Sequence, residues 1–63
     1  MNKELPINEQ IKADTMMVIG PNGEQMGQKK LDDALTLARY AGLDLVLMND
    51  NGNMAVTKIM DYN

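Results

Sequence analysis

The chain has 63 residues, a formal net charge of −3, and neither cysteine nor histidine. Its length allows one small domain at most, and the residue inventory excludes disulfides and zinc as sources of stability, so packing alone must hold the fold. The missing cysteines are typical of a cytoplasmic protein, and the sequence predicts neither a signal peptide nor a membrane span.

Residues 1–15 are predicted to form an N-terminal arm. They are polar, contain Pro6, and place Ile7 and Ile11 at a spacing that suits one helical turn. Residues 16–63 are predicted to form a single α/β domain. An apolar run at 16–19 meets the turn-forming residues 20–23, and an alternating segment follows, which together indicate a β-hairpin.

The next segment, residues 29–42, is predicted to be a helix because its apolar side chains recur every 3.6 residues. Asp32 and Asp33 suit the positive end of the helix dipole, and Gly42 suits the left-handed position that ends a helix. Lys30 stands where a capping serine, threonine or aspartate is expected, and the sequence does not explain this misfit. The apolar stripe comprises Leu31, Ala34, Leu35, Ala38 and either Leu37 or Ala41.

Two further strands are predicted at residues 43–49 and 54–60, joined by a turn at Asn51-Gly52. The expected fold is therefore α+β: a four-stranded mixed β-sheet with one α-helix packed across one face, preceded by the arm. A single helix across a sheet is the simplest way to bury the helical stripe and one sheet face.

Lys58 predicts which side of the last strand faces solvent, because a lysine is almost never fully buried. Alternation then sends Val56 and Met60 outward with it, and Thr57 and Ile59 inward.

If Met17 and Leu47 share that outer face, several apolar side chains surround one cation, and such patches usually mark a contact surface. The alternative is that the arm folds back over the face, with Ile7 and Ile11 as plugs. The sequence favours neither interpretation.

An enzyme is not predicted. Without histidine, cysteine or serine, the usual nucleophiles and the usual general base are missing. Asp32 and Asp33 are adjacent on a helix and point about 100° apart, so they do not share a site. The segment NDNGN lacks the downstream glutamate of a calcium loop, and GPNGEQMG does not precede a helix as a phosphate loop does. We therefore expect no catalytic residue, metal or cofactor.

Four segments in order carry a family resemblance: LPINEQIKA, GPNGEQMG, LDDALTLARYAGLDLV and VTKIMDY. Together they resemble the N-terminal domain of bacterial translation initiation factor 3, from about Pro6 to Tyr62. The resemblance implies a protein that binds the small ribosomal subunit and the region of the initiator tRNA. It also implies a role in preventing premature subunit joining and in start-codon fidelity, without catalysis or a cofactor. The chain is then expected to be a fragment that ends where a Lys-rich linker to a second domain begins.

The resemblance also implies RNA- or ribosome-binding residues: Asn8, Lys12, Lys58 and Tyr62 match the family's arm and terminal motifs. The two lysines are expected to contact phosphates, and Tyr62 to stack or to donate a hydrogen bond. The simpler alternative is that the lysines are only solvated and that Tyr62 packs at the linker junction.

Departures from the family pattern weaken parts of this expectation. The family often has arginine where this chain has Met17, serine where it has Lys30, an acid where it has Leu47, and Pro-Pro-Val-Cys at positions 54–57.

The alternative function is a small protein-interaction module that docks through the apolar open face of its sheet. Weak self-association through the arm or that face is a related expectation.

Overall fold

The computed structural model describes residues 6–50 and 54–62. Within these residues, a single 3₁₀ turn, Asn8–Gln10, precedes one α-helix and four strands. The elements in chain order are β1 Thr15–Ile19, β2 Gln25–Lys30, α1 Leu31–Ala41, β3 Asp44–Asn49 and β4 Ala55–Met60. The predicted Asn51-Gly52 turn lies outside the described residues.

The four strands form one mixed sheet in the order β2-β1-β4-β3. Strand β1 pairs in parallel with β4, while the β1–β2 and β3–β4 pairs are antiparallel. The helix packs against one side, which we call the inner face, and the other side is the outer face. The predicted α+β fold, with one helix across a four-stranded mixed sheet, is confirmed.

The β1–β2 hairpin forms where the turn residues predicted it. The Gly20 and Glu24 backbones are joined by an N–H···O bond of 2.8 Å, and Gly23 donates to the Gly20 carbonyl at 3.0 Å. Gly23 has a φ of 87°, which few other residues adopt without strain. The β1–β2 register is irregular between Met17 and Ile19. On the β2 side of this irregularity, Gly27 takes a φ of 84°. The ladder therefore carries a bulge on its β2 side.

The helix follows β2 without a loop, so the strand determines which residue precedes the helix. Lys30 is both the last residue of β2 and the N-cap, with an extended backbone and no side-chain cap. The Leu31 N–H instead donates to the Asp14 carbonyl at 3.0 Å, so the arm satisfies one of the free N–H groups of the first turn. The other end matches the prediction, because Gly42 adopts a left-handed φ of 73° and closes a Schellman-type motif.

The core lies between α1 and the inner face. Ala34 and Ala38 are fully or almost fully buried, and their small side chains let the helix backbone approach the strands closely. Thr57 is the buried polar residue of this layer, and its hydroxyl donates to the Met17 carbonyl at 3.1 Å. The core cluster comprises Ile11, Met16, Val18, Ala34, Leu35, Ala38, Leu45, Leu47, Ala55 and Ile59.

Within the described ranges, no helix has the length and apolar character needed to cross a membrane.

Candidate interaction surfaces

The outer face of the sheet is apolar around one lysine. Burial in β4 alternates, with Ala55, Thr57 and Ile59 buried and the residues between them half-buried. The predicted outward positions of Val56, Lys58 and Met60, and the inward positions of Thr57 and Ile59, are confirmed. By strand register, the centre of the outer face comprises Met17, Ile19, Val46, Val56, Lys58 and Met60, and its margins carry Thr15, Gln25, Gln28, Lys30 and Asp44.

The sequence allows Leu47 to share the outer face with Met17, but Leu47 does not belong to this surface. It pairs with Thr57 on the inner face and is 8% exposed. Val46 takes the outer position instead, opposite Lys58, and is completely buried. Strand β3 is apolar on both faces, so alternation alone could not determine which of its side chains point outward.

A groove of about 220 Å³ opens on the outer face at the β1 end. Met17, Ile19 and Val56 supply aliphatic walls, and Gln25 of β2 supplies a polar margin; Val18 also lines it. Lys58 does not line the groove, but it pairs with Ile19 and therefore lies beside it. The surface can therefore hold aliphatic side chains beside one positive charge.

The arm covers the free edge of β3 rather than the groove. Leu47 donates its N–H to the Pro6 carbonyl at 2.9 Å, and Ile7 forms an antiparallel bridge with Val46. Asn8 then fixes the arm with its side chain. Its Oδ1 accepts the Leu45 N–H at 2.9 Å, and its Nδ2 donates to Asp44 Oδ1 at 3.0 Å.

Beyond Asn8 the arm turns to the helix side. Glu9 forms an ion pair with Arg39 near the end of α1, and Ile11, only 3% exposed, joins the inner core. Asp14 then meets the start of the helix through its carbonyl. Ile11 therefore does not plug the outer face, and that part of the interpretation is wrong, whereas Ile7 pairs with the buried outer-face residue Val46.

The structure separates the four residues that the family resemblance singled out. Asn8 is half-buried and its side chain bonds to β3. Lys12 is exposed and lies in the arm between Ile11 and Ala13, which pack against the core under the helix. Lys58 lies on the outer face. Tyr62 is half-buried and follows β4 at the end of the sheet where Met60 pairs with Asp44, which is also the end that Asn8 contacts. Asn8 and Tyr62 thus share one end of the sheet, and the two lysines lie on different sides of the domain.

Tyr40 is a surface residue that sequence reasoning did not select. It lies on α1, next to Arg39, and is 93% exposed. Its position outside the apolar stripe was the available signal, although single exposed aromatic residues are common on protein surfaces. In the part of the chain that the structure describes, no group of three or more histidine, cysteine or acidic side chains is placed to hold a metal.

Comparison with known proteins identifies the family. The profile described as "Translation initiation factor IF-3, N-terminal domain" matches residues 7–63. Proteins named translation initiation factor IF-3 from Thermotoga maritima and Chlamydia muridarum are each 50% identical over 98% of this chain, which covers 36% and 33% of their own lengths. The Mycobacterium tuberculosis protein of the same name is 45% identical over 98% of this chain and 31% of its own length. The chain, which spans about a third of these relatives, belongs to the translation initiation factor IF-3 family and corresponds to its N-terminal domain.

Proposed function

We propose that this domain binds the small ribosomal subunit in the region of the initiator tRNA. There it helps to prevent premature subunit joining and supports start-codon fidelity. The observation that carries the proposal is the match of the N-terminal domain profile to residues 7–63. We further propose that the domain acts in the cytoplasm by binding alone, without catalysis or a cofactor.

The proposed contact is weak for an isolated domain. Nucleic-acid affinity depends on lysine and arginine side chains that neutralise phosphates, and this chain carries a net charge of −3. A weak contact gains affinity when the domain is tethered to a second binding module, because the second binding event becomes intramolecular. We therefore expect this domain to act as a mobile contact that follows a stronger one elsewhere in the factor.

Each predicted site residue has a proposed part. Lys12 is exposed and meets a phosphate of ribosomal RNA or tRNA. Tyr62 contributes its ring or hydroxyl, and Asn8 holds the arm that carries Lys12 through its bonds to β3. Lys58 is the second proposed cation, and its anionic partner on the subunit belongs either to RNA or to a ribosomal protein.

Steric exclusion is the proposed means of opposing subunit joining. The domain measures 32 × 28 × 20 Å and has a close-packed inner core. Closely packed interiors resist compression, so a body of this size at the subunit interface cannot flatten to let the large subunit approach.

Salt titration of binding to purified small subunits tests the RNA contact. We expect the affinity to fall as salt rises, and Lys12→Gln to reduce the slope of log K against log salt by about one. Thr36→Glu is the matched control: it changes the net charge by the same amount at an exposed position of α1. Binding that ignores salt, or equal effects of the two variants, would remove Lys12 from the proposal. A chain that does not bind small subunits at any salt concentration would overturn the proposed function.

A further inference from the structure

The arm leaves the β1 end of the outer face open. Its contacts are with β3 and with the helix side, where Ile11 is buried. The 220 Å³ groove bounded by Met17, Ile19, Gln25 and Val56 lies at the opposite part of the sheet from the β3 edge. The aliphatic groove favours an occupant with apolar side chains, and the neighbouring cation favours one with a negative charge.

Lys58 defines that chemistry. Its side chain is half-buried, with Ile19 and Val46 across the neighbouring strands and Val56 and Met60 before and after it on β4. In the described ranges it forms neither an ion pair nor a side-chain hydrogen bond. A cation in apolar surroundings attracts an opposite charge more strongly than one in open water, because water screens it less. The surface therefore favours an occupant with one negative group set among apolar ones.

RNA fits this surface less well than a polypeptide. Tight RNA contact needs several cations along the phosphate backbone or aromatic rings for bases. Lys58 lies beside the groove, whereas Lys30, the other cation that the described register places on this side, pairs with Thr15 at the far end of β1. Methionine side chains such as Met17 and Met60 adapt to irregular apolar partners, which suits the side chains of a protein segment.

A second copy of the chain fits poorly as well. A two-fold contact between two outer faces would bring two copies of Lys58 together in an apolar interface. Two like charges would then face each other in apolar surroundings, which is unfavourable.

We infer that the outer face docks a polypeptide segment of a ribosomal protein. Aliphatic side chains of the segment fill the groove, and its aspartate or glutamate pairs with Lys58. The inference rests on the proposed binding to the small subunit and names the class of partner on this face. Its physical basis is charge complementarity between one half-buried cation and one carboxylate.

Site-specific photocrosslinking tests the inference. A benzoylphenylalanine at Gln25, which is exposed and lines the groove, is compared with one at Thr36, which is exposed on α1. Each variant is bound to purified small subunits, the bound amount is measured by co-sedimentation, and the cross-linked product is mapped by mass spectrometry. We expect the Gln25 probe to label a ribosomal protein at an aliphatic segment that contains an acid, and the Thr36 probe not to label that segment.

Charge variants at Lys58 provide the second arm. Lys58→Glu should lower the Gln25 cross-link, normalised to bound chain, by roughly tenfold or more, whereas Lys58→Met, which keeps the apolar contact, should lower it less. Labelling of RNA or of a second copy of the chain, or no labelling by a bound chain, would refute the docking while leaving the proposed function intact. A chain that does not co-sediment with subunits would refute both.

Discussion

Replacement of Asn8 by alanine should detach the arm from β3. The substitution removes the acceptor of the Leu45 N–H and the donor to Asp44. Leu45 is completely buried, so while the arm stays in place its N–H would lack a partner at a penalty of about 1–3 kcal/mol, and this penalty favours release of the arm. Asn8 also has a φ of 51°, and alanine tolerates the left-handed region less well by roughly 1 kcal/mol. We expect a loss of about 2–4 kcal/mol, which is most of the stability that a core of this size supplies.

Hydrogen exchange of individual amides provides the assay, because it separates arm release from global unfolding. In Asn8→Ala the Leu45 and Leu47 amides should exchange faster, since both donate to the arm. Asn8→Gly keeps the left-handed backbone without strain, so its difference from Asn8→Ala isolates the φ contribution. Gln10→Ala is the control within the arm, as its side chain is exposed and only accepts a long bond, 3.3 Å, from the Ile7 N–H. Unchanged protection of Leu45 in Asn8→Ala would refute the assignment of Asn8 as the clamp.

Three further substitutions probe separate features by urea denaturation. Gly42→Ala should destabilise the domain by roughly 1 kcal/mol through φ strain alone, because the added Cβ meets nothing within 4 Å beyond its chain neighbours. No change in stability would contradict the strained C-cap. Thr57→Val should destabilise by about 1 kcal/mol, since it removes the donor to the Met17 carbonyl with little change of volume; a gain in stability would contradict this. Arg39→Ala should change stability by at most about 1 kcal/mol and less in high salt, because its ion pair with Glu9 is exposed; a larger, salt-independent loss would show a packing role for Arg39.

The sequence predicted those features that local rules control. The helix, its Gly42 end and the first hairpin follow from period and turn chemistry, which act over a few residues. The outward set on β4 followed from Lys58, because one residue that must reach water determines the alternation of the whole strand. These predictions required no knowledge of which strands are neighbours.

Features that depend on distant pairing could not be predicted in this way. Alternation does not determine which face Leu47 occupies, because β3 is apolar on both sides. Only the pairing of Leu47 with Thr57 of β4 places it inward. Lys30 stands at the helix start because it is also the last residue of β2, and the Asp14 carbonyl that accepts the Leu31 N–H is distant in sequence. The bond from Leu45 to Asn8 joins residues 37 positions apart, and Ile11 enters a core built from the helix and the strands, so no local signal could reveal either arrangement.

The edges of the sheet support an interaction through its face rather than through strand addition. On one side the β3 edge is occupied by Pro6, Ile7 and the Asn8 side chain. On the other side β2 carries a bulge at Gly27 and ends in two lysines, devices that discourage pairing with another strand. Both edges therefore oppose strand pairing for different physical reasons, whereas the outer face keeps an aliphatic groove beside Lys58. A partner on this side of the domain must then be recognised by side chains, so single substitutions in the groove should alter binding without altering the fold.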